Sequence, residues 1–167
     1  MRKLIALSLA ALLLCAPAVA AERQVGRVSH VVDGDTLDVL VRDKRVRVRV
    51  LHIDAPEQRQ AYGLRARQSL IQICGGEMAT VDARGTDRNR RALAYVSCNA
   101  TDAGTEQVRR GMAWVFERYA PADSPLYAVQ AEAQAARRGL WADQQRVPPW
   151  EWRAAGRLPA TLVRESN

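Results

Sequence analysis

Residues 32–57 read VDGDTLDVLVRDKRVRVRVLHIDAPE, which sets acids at Asp33, Asp35, Asp54 and Glu57 around an alternating run that carries Arg45, Arg47 and Arg49. Carboxylates are hard oxygen donors, and Ca2+ takes roughly six to eight such oxygens in flexible geometry. Two carboxylates and a backbone carbonyl would leave places on the ion for water and a substrate phosphate. Arginine adds charge-assisted donors in a rigid fork, suited to the charge of a phosphoryl-transfer transition state. The alternative is a solvated hairpin. In that case Asp33 only sets the tight turn before Gly34, and Glu57 only favours the N-terminus of a following helix.

The elements that must position these groups follow from periodicity. Over residues 25–53 the pattern has period two, with Val46, Val48 and Val50 apolar between the polar Arg45, Arg47 and Arg49, as in strands with one buried face. Turn candidates at Asp33-Gly34 and Arg42-Asp43-Lys44 divide residues 25–50 into a three-stranded antiparallel meander, which Pro56 ends. Over residues 58–73 the spacing changes to Leu64, Leu70, Ile71 and Ile73 among Arg and Gln, then Gly75-Gly76, which predicts a helix with a glycine stop. Residues 78–83 and 92–97 are two further strands, joined by the polar loop 84–91. Residues 102–112 form a short helix. A last helix is punctuated by Ser124 as N-cap, Pro125 in the first turn and Gly139 as stop, with Leu126, Val129, Ala133 and Ala136 as its apolar stripe. Beyond Trp141 the tail VPPWEWR lacks periodicity and is expected to be surface-draped or mobile. Five strands with a helix inserted after the third, then C-terminal helices, is the order of an OB-type barrel. The expected fold class is therefore α+β, a five-stranded OB-fold barrel with about three helices.

At 167 residues the chain fits one domain. Met1-Arg2-Lys3 is a basic start, Leu4 to Leu14 is an apolar run too short to span a bilayer, and Ala18-Val19-Ala20 is a small-x-small cleavage site, the pattern of a signal peptide over residues 1–20. An uncleaved anchor is the alternative. Leu14 is too bulky for a lipoprotein box at Cys15. The domain then occupies residues 21–145 and the Pro/Trp-containing tail residues 146–167, in a protein exported to the periplasm or the medium without stable membrane association. Export leaves Cys74 and Cys98 as a pair in an oxidising compartment, which favours a disulfide over two buried thiols. With no CxxC and no Cys/His cluster, zinc is disfavoured. The formal net charge is +7, and outside the leader Lys44 is the one lysine among many arginines. That balance suits a polyanionic partner, although genome composition alone produces the same arginine bias. His30 and His52 do not make a metal pair by spacing.

In order and spacing, DGDT (33–36), Arg49, IDAPE (53–57), Tyr62-Gly63, DRNRRALAY (87–95) and RRGMAWV (109–115) resemble the thermonuclease family, the staphylococcal-nuclease-like Ca2+-dependent nucleases, over residues 25–142. The resemblance implies that Asp35 and Asp54 are carboxylate ligands of Ca2+, with the carbonyl of Ala55 as a third protein ligand and Asp33 beside them in support. It makes Glu57, held at a strand end by Pro56, the general base or positioner of the attacking water. Arg49 and Arg91 fall at the two catalytic arginines. Arg88 and Arg90 are candidate substrate contacts on the same loop as Arg91; Trp114, Phe116 and Tyr119 could stack bases or close the core, with core expected for Trp114 and substrate contact for Tyr119. Arg45 and Arg47 are expected to be solvated or to touch phosphates nonspecifically. Where the family commonly has Tyr-Gly, this chain has Asn89-Arg90.

The function so implied is an exported, monomeric, Ca2+-dependent endonuclease that hydrolyses phosphodiesters in DNA and RNA and leaves 3′-phosphate ends. One alternative is a noncatalytic OB-fold nucleic-acid-binding module, for which basic charge alone would suffice. Such a binder would not need Asp35, Arg49, Asp54, Glu57 and Arg91 together. A metal-assisted hydrolase of small phosphoesters is a further alternative, which competition by long DNA would separate.

Overall fold

The computed structural model describes residues 23–156; the expected signal peptide and the end of the tail lie outside the described residues. Strands β1 (Arg23–Val31), β2 (Thr36–Val41) and β3 (Lys44–Val50) form the antiparallel meander. It is extended by β5 (Met78–Thr86) and β6 (Ala92–Cys98) in the order β3-β2-β1-β5-β6, and parallel pairing of β3 with β6 closes the barrel. Closure removes the open edges that a five-stranded sheet would expose, giving the expected OB-type barrel.

Alternation decides what fills it. Leu37, Val39, Val48, Val81 and Val96 are fully buried inside, each contributing roughly 1.5–3 kcal/mol relative to exposure. The intervening arginines of β3 face outward. Arg47 is not simply solvated there: its guanidinium donates to both carboxylate oxygens of Asp38, at 2.8 and 3.0 Å, from the facing register position.

Helix α1 (Gly63–Cys74) starts later than its sequence pattern suggests and leaves Leu64 exposed. Residues 58–62 are instead held in turns, with the amides of Gln60 and Gly63 donating to the carbonyls of Glu57 and Gln60. A Cβ on Gly63 would lie 1.9 Å from the Glu57 carbonyl oxygen, so only glycine lets the helix begin that close to the site. Helix α2 (Ala103–Arg109) is capped by Asp102, whose side chain accepts from the Thr105 amide, as N-cap carboxylates do. Helix α3 (Leu126–Ala135) follows; Pro125 rather than Ser124 is its N-cap, with Ser124 one residue earlier accepting from the Leu126 amide, and the helix ends before the expected Gly139 stop, the chain turning left-handed already at Arg137, φ 51°. Leu126 and Ala133 are buried as expected, whereas Ala136 has left the stripe at the helix end and is exposed.

Three features depart from the periodic pattern. Ile53–Asp54 is a two-residue strand, β4, that pairs with β8 (Trp114–Val115) outside the barrel sheet. Thr101–Asp102 adds β7 at the edge of β6. The described part of the tail is not irregular: Pro149–Ala155 forms helix α4, with proline at its start, where the missing N–H costs nothing. Trp150 stacks flat on Phe116 at 5.5 Å and meets Trp114 edge-on. Trp114 is core, as expected. The disulfide between Cys74 and Cys98 is present, Cα atoms 5.3 Å apart, and ties the end of α1 to the end of β6.

Candidate active site

Asp35 stands at the entry of β2, where the chain leaves the Asp33-Gly34 turn. The Asp35 amide donates to Asp33 Oδ1 at 3.0 Å, so Asp33 shapes this turn. Gly34 is required for packing: a Cβ there would come within 2.7 Å of the Cβ atoms of both Ala55 and Ala66. Three distant side chains hold the same turn by its carbonyls. Gln58 Nε2 donates to Val32, Arg67 Nε to Val31, and the buried Gln107 of α2 donates from Nε2 to Gly34 and Ala66 at 2.6 and 3.0 Å.

Arg49 lies opposite Thr36 in the β2–β3 ladder, which puts its side chain next to Asp35. Asp54 arrives on β4 after a left-handed turn at His52, φ 64°. The result is a bridge: Arg49 Nη1 is 2.8 Å from Asp35 Oδ2, and Arg49 Nη2 is 2.8 Å from Asp54 Oδ1. Arg49 Nη1 also donates to the Ile53 carbonyl at 3.0 Å. Asp35 Oδ2 accepts from the Ala55 amide at 2.7 Å, and its Oδ1 accepts from the Thr36 hydroxyl at 3.1 Å.

Both aspartates are buried, with relative exposures of 5% and 1%. Burial pushes the Asp35 carboxyl up from the ordinary range, to about 7; Arg49 pulls it down, while Asp33 and Asp54 repel the charge and the Ala55 amide favours it. A carboxylate made costly by burial gains from a nearby cation, so this donor set of hard oxygens fits a hard divalent ion better than a soft one. Asp35 and Asp54 could hold such an ion from two sides, with Glu57 at the rim. Among the described residues, no three His, Cys, Asp or Glu side chains converge as a closed metal cage.

Glu57 follows the buried Pro56 and is half-exposed. Its amide donates to Gln60 Oε1, whose Nε2 donates to the Val147 carbonyl, so one buried amide side chain joins the Glu57 loop to the C-terminal segment. A guanidinium absent from the sequence expectations completes the cluster. Arg153 of α4 donates to Asp54 Oδ2 at 2.6 Å and to Glu57 Oε1 at 2.8 Å, with a longer bond to Asp54 Oδ1 at 3.3 Å. Burial works against its charge, but the bonds to Asp54 and Glu57 outweigh that and hold the guanidinium above its ordinary range. A cleft of about 490 Å³ opens beside these groups, walled by Asp33, Glu57, Gln58 and Arg59 on one side and by Trp152 and Arg153 of α4 on the other.

The structure thus brings Asp33, Asp35, Arg49, Asp54, Ala55 and Glu57 together. Arg91 stands at the start of β6, next to the Ala92 that pairs with Val48 of β3, and its hydrogen-bond partner is Asp87: Nε and the amide donate to the two Asp87 oxygens at 2.7 and 2.9 Å. Arg88 and Arg90 are exposed on the same loop, Arg90 in the left-handed region at φ 60°. Tyr119 is exposed against Phe116 and under Arg118. None of Arg88, Arg90, Arg91 and Tyr119 lines the cleft beside Glu57. His30 is exposed on β1, and His52 packs edge-on against Tyr95. Gln107 and Arg153 escaped the sequence expectations because each acts across the fold; the Pro-Pro pair before Trp150 is the one local sign of a helix start.

Comparison with known proteins agrees with this geometry. The family description "Staphylococcal nuclease homologue" matches residues 47–143. The chain is similar to "Protein ParB" of Escherichia coli, 40% identical over 89% of this chain and 88% of that protein. It is similar also to "Micrococcal nuclease" of Shigella flexneri, 38% identical over 79% and 82% of the respective chains. An "Uncharacterized endonuclease" of Escherichia coli O157:H7 is 41% identical over 77% of this chain and 84% of its own length. With the barrel, the aspartate–arginine cluster and relatives aligned over most of both chains, this protein belongs to the staphylococcal nuclease homologue family.

Proposed function

We propose that this protein is an exported, monomeric, Ca2+-dependent endonuclease that hydrolyses phosphodiesters in DNA and RNA. The observation that carries the proposal is the buried Asp35–Arg49–Asp54 bridge, joined through Arg153 to Glu57 at the edge of a cleft. A module that only bound nucleic acid would gain nothing from burying two carboxylates where a polyanion approaches. The named micrococcal nuclease and endonuclease relatives support the same activity, and the basic leader followed by an apolar run supports export.

Asp35 and Asp54, with the Ala55 carbonyl, would hold the ion. Ca2+ bound there would supply electrostatic stabilisation of the phosphate and fix its orientation. Glu57 takes a proton from the water that attacks phosphorus. As the new P–O bond forms, the bond to the 5′ oxygen breaks; that oxygen gains a proton and leaves, so the product end is a 3′-phosphate. Arg49 donates to the phosphate oxygens as their charge rises, and Arg91, whose Nε donates to Asp87, would serve the same use from the β6 side. Arg88, Arg90 and Tyr119 extend the contact along the strand.

Plasmid and RNA incubated with the purified protein in Ca2+, Mg2+ or EDTA test the proposal, with identification of the ends. Asp35→Asn and Glu57→Gln should each lower turnover by roughly two orders of magnitude or more. Near-wild-type turnover in either folded variant would remove the site assignment.

A further inference from the structure

Helix α4 lies beyond residues 47–143 that match the family, yet it carries the arginine with the most contacts to Asp54 and Glu57. We infer that Arg153 is an internal counterion that competes with the divalent cation for these carboxylates, so that metal binding releases α4 from the cleft. The inference rests on the proposed metal site and concerns how that site is loaded.

The competition is set by atoms. Asp54 Oδ2 accepts from Arg153 at 2.6 Å, and its Oδ1 accepts from Arg49 at 2.8 Å and from Arg153 at 3.3 Å, so three of roughly four lone-pair sites are taken and an ion there would stand against two guanidinium charges. One of the two arginines must give way. Arg49 is anchored on a barrel strand, bonds also to the Ile53 carbonyl, and its side chain is 12% exposed. Arg153 is 30% exposed and stands on a seven-residue helix. That helix is secured by the buried Pro149, by Trp150 against Phe116 and Trp114, and by the Gln60–Val147 hydrogen bond. Those anchors lie at residues 147–150, and a helix this short is not stable by itself, so once the ion bonds are lost the end of α4 that carries Trp152 and Arg153 is the part that moves.

Position gives the displacement a consequence. Trp152 and Arg153 form the wall facing Asp33, Glu57 and Arg59, so release of the guanidinium both frees the Glu57 oxygen it holds and widens the entrance. In the metal-free protein Arg153 supplies the positive charge that the buried Asp54 carboxylate would otherwise lack on that side. The device therefore keeps the carboxylates paired until an ion replaces the arginine.

The test uses the full mature chain without nucleic acid, so the readout is not turnover. Ca2+ affinity is measured by calorimetry for wild type, Arg153→Gln and Arg153→Lys, and amide exchange over residues 147–156 is followed with and without Ca2+. Removing the competitor should tighten Ca2+ binding by about tenfold in Arg153→Gln, the scale of one charge-assisted hydrogen bond, with Arg153→Lys between the two. In wild type, Ca2+ should speed exchange over residues 147–156; in Arg153→Gln exchange should be fast in either condition. Equal or weaker Ca2+ binding by Arg153→Gln, or wild-type exchange indifferent to bound Ca2+, would overturn the inference while leaving the metal site standing. Absence of Ca2+ binding in every variant would overturn both.

Discussion

Removing Arg49 separates its two jobs, holding a fold that contains buried carboxylates and serving the reaction. Its side chain is 12% exposed, and those of Asp35 and Asp54 are 7% and 1% exposed. Deleting one partner of a buried pair costs about 3–5 kcal/mol, because the remaining charge is left desolvated. Here the low end applies: Arg153 still pairs with Asp54, and Asp35 keeps its bonds from Thr36 and the Ala55 amide. Arg49→Ala should therefore lose about 3 kcal/mol in EDTA, or roughly 10 °C in Tm for a domain of this size. Ca2+ at about a hundred times its Kd supplies about 2.7 kcal/mol, so saturating ion should return most of the lost stability. Turnover should stay about 100-fold or more below wild type, since the transition-state donor is gone.

The pH dependence has a definite sign. Asp35 is raised in the folded protein, to about 7, by burial, so its proton favours folding at low pH and that contribution is lost as pH rises through the folded value. Without Arg49, which opposes the burial effect, the Arg49→Ala deficit should be larger at pH 8 than at pH 5. Thermal unfolding followed by circular dichroism, in EDTA and in Ca2+ at both pH values, measures all of this. A variant as stable as wild type in EDTA at pH 8, or one that Ca2+ leaves unstabilised, would refute the account of two buried charges awaiting a cation.

Other expectations concern the frame around the site. Gln107→Ala leaves the Gly34 and Ala66 carbonyls without the Nε2 donor and should cost about 2–3 kcal/mol, read by urea unfolding; a change below about 0.5 kcal/mol would mean that the turn does not depend on α2. Asp38→Asn should cost about 1 kcal/mol at neutral pH, a figure held down by solvent screening because Arg47 is half-exposed. The hydrogen bond from Arg47 holds the Asp38 carboxyl below its ordinary value, so its stabilisation is present above about pH 4 and lost as pH falls through the folded value. The two proteins should converge in stability once pH has fallen below the folded Asp38 value, and a deficit persisting there would indicate packing rather than charge. Reducing Cys74–Cys98, which closes a separation of 24 residues, should remove about 3 kcal/mol by the chain-entropy account; intact mass after alkylation without reductant should show both thiols blocked, and two alkylated cysteines would contradict the bridge.

Local pattern determined the barrel. The alternation of Val46, Val48 and Val50 with arginines, the Asp33-Gly34 turn and the glycines after α1 each act over a few residues, and the strands form, and α1 ends, where they say. The acids and Arg49 were legible too, because a turn and one ladder position suffice to bring Asp35 and Arg49 together. Whether an arginine on β3 is solvated was not legible, since Arg47 depends on the residue opposite it, Asp38. Nor was the short β4–β8 ladder, whose two-residue strands are too brief to show a period. Arg153 lies 99 residues from Asp54 and 96 from Glu57 along the chain, and Gln107 lies 73 from Gly34. Such contacts exist only after the barrel has closed and α2 and α4 have docked on it. Periodicity reports which face of a segment is buried, whereas a charge acquires its partner from the face that is packed against it, and that pairing belongs to the tertiary structure.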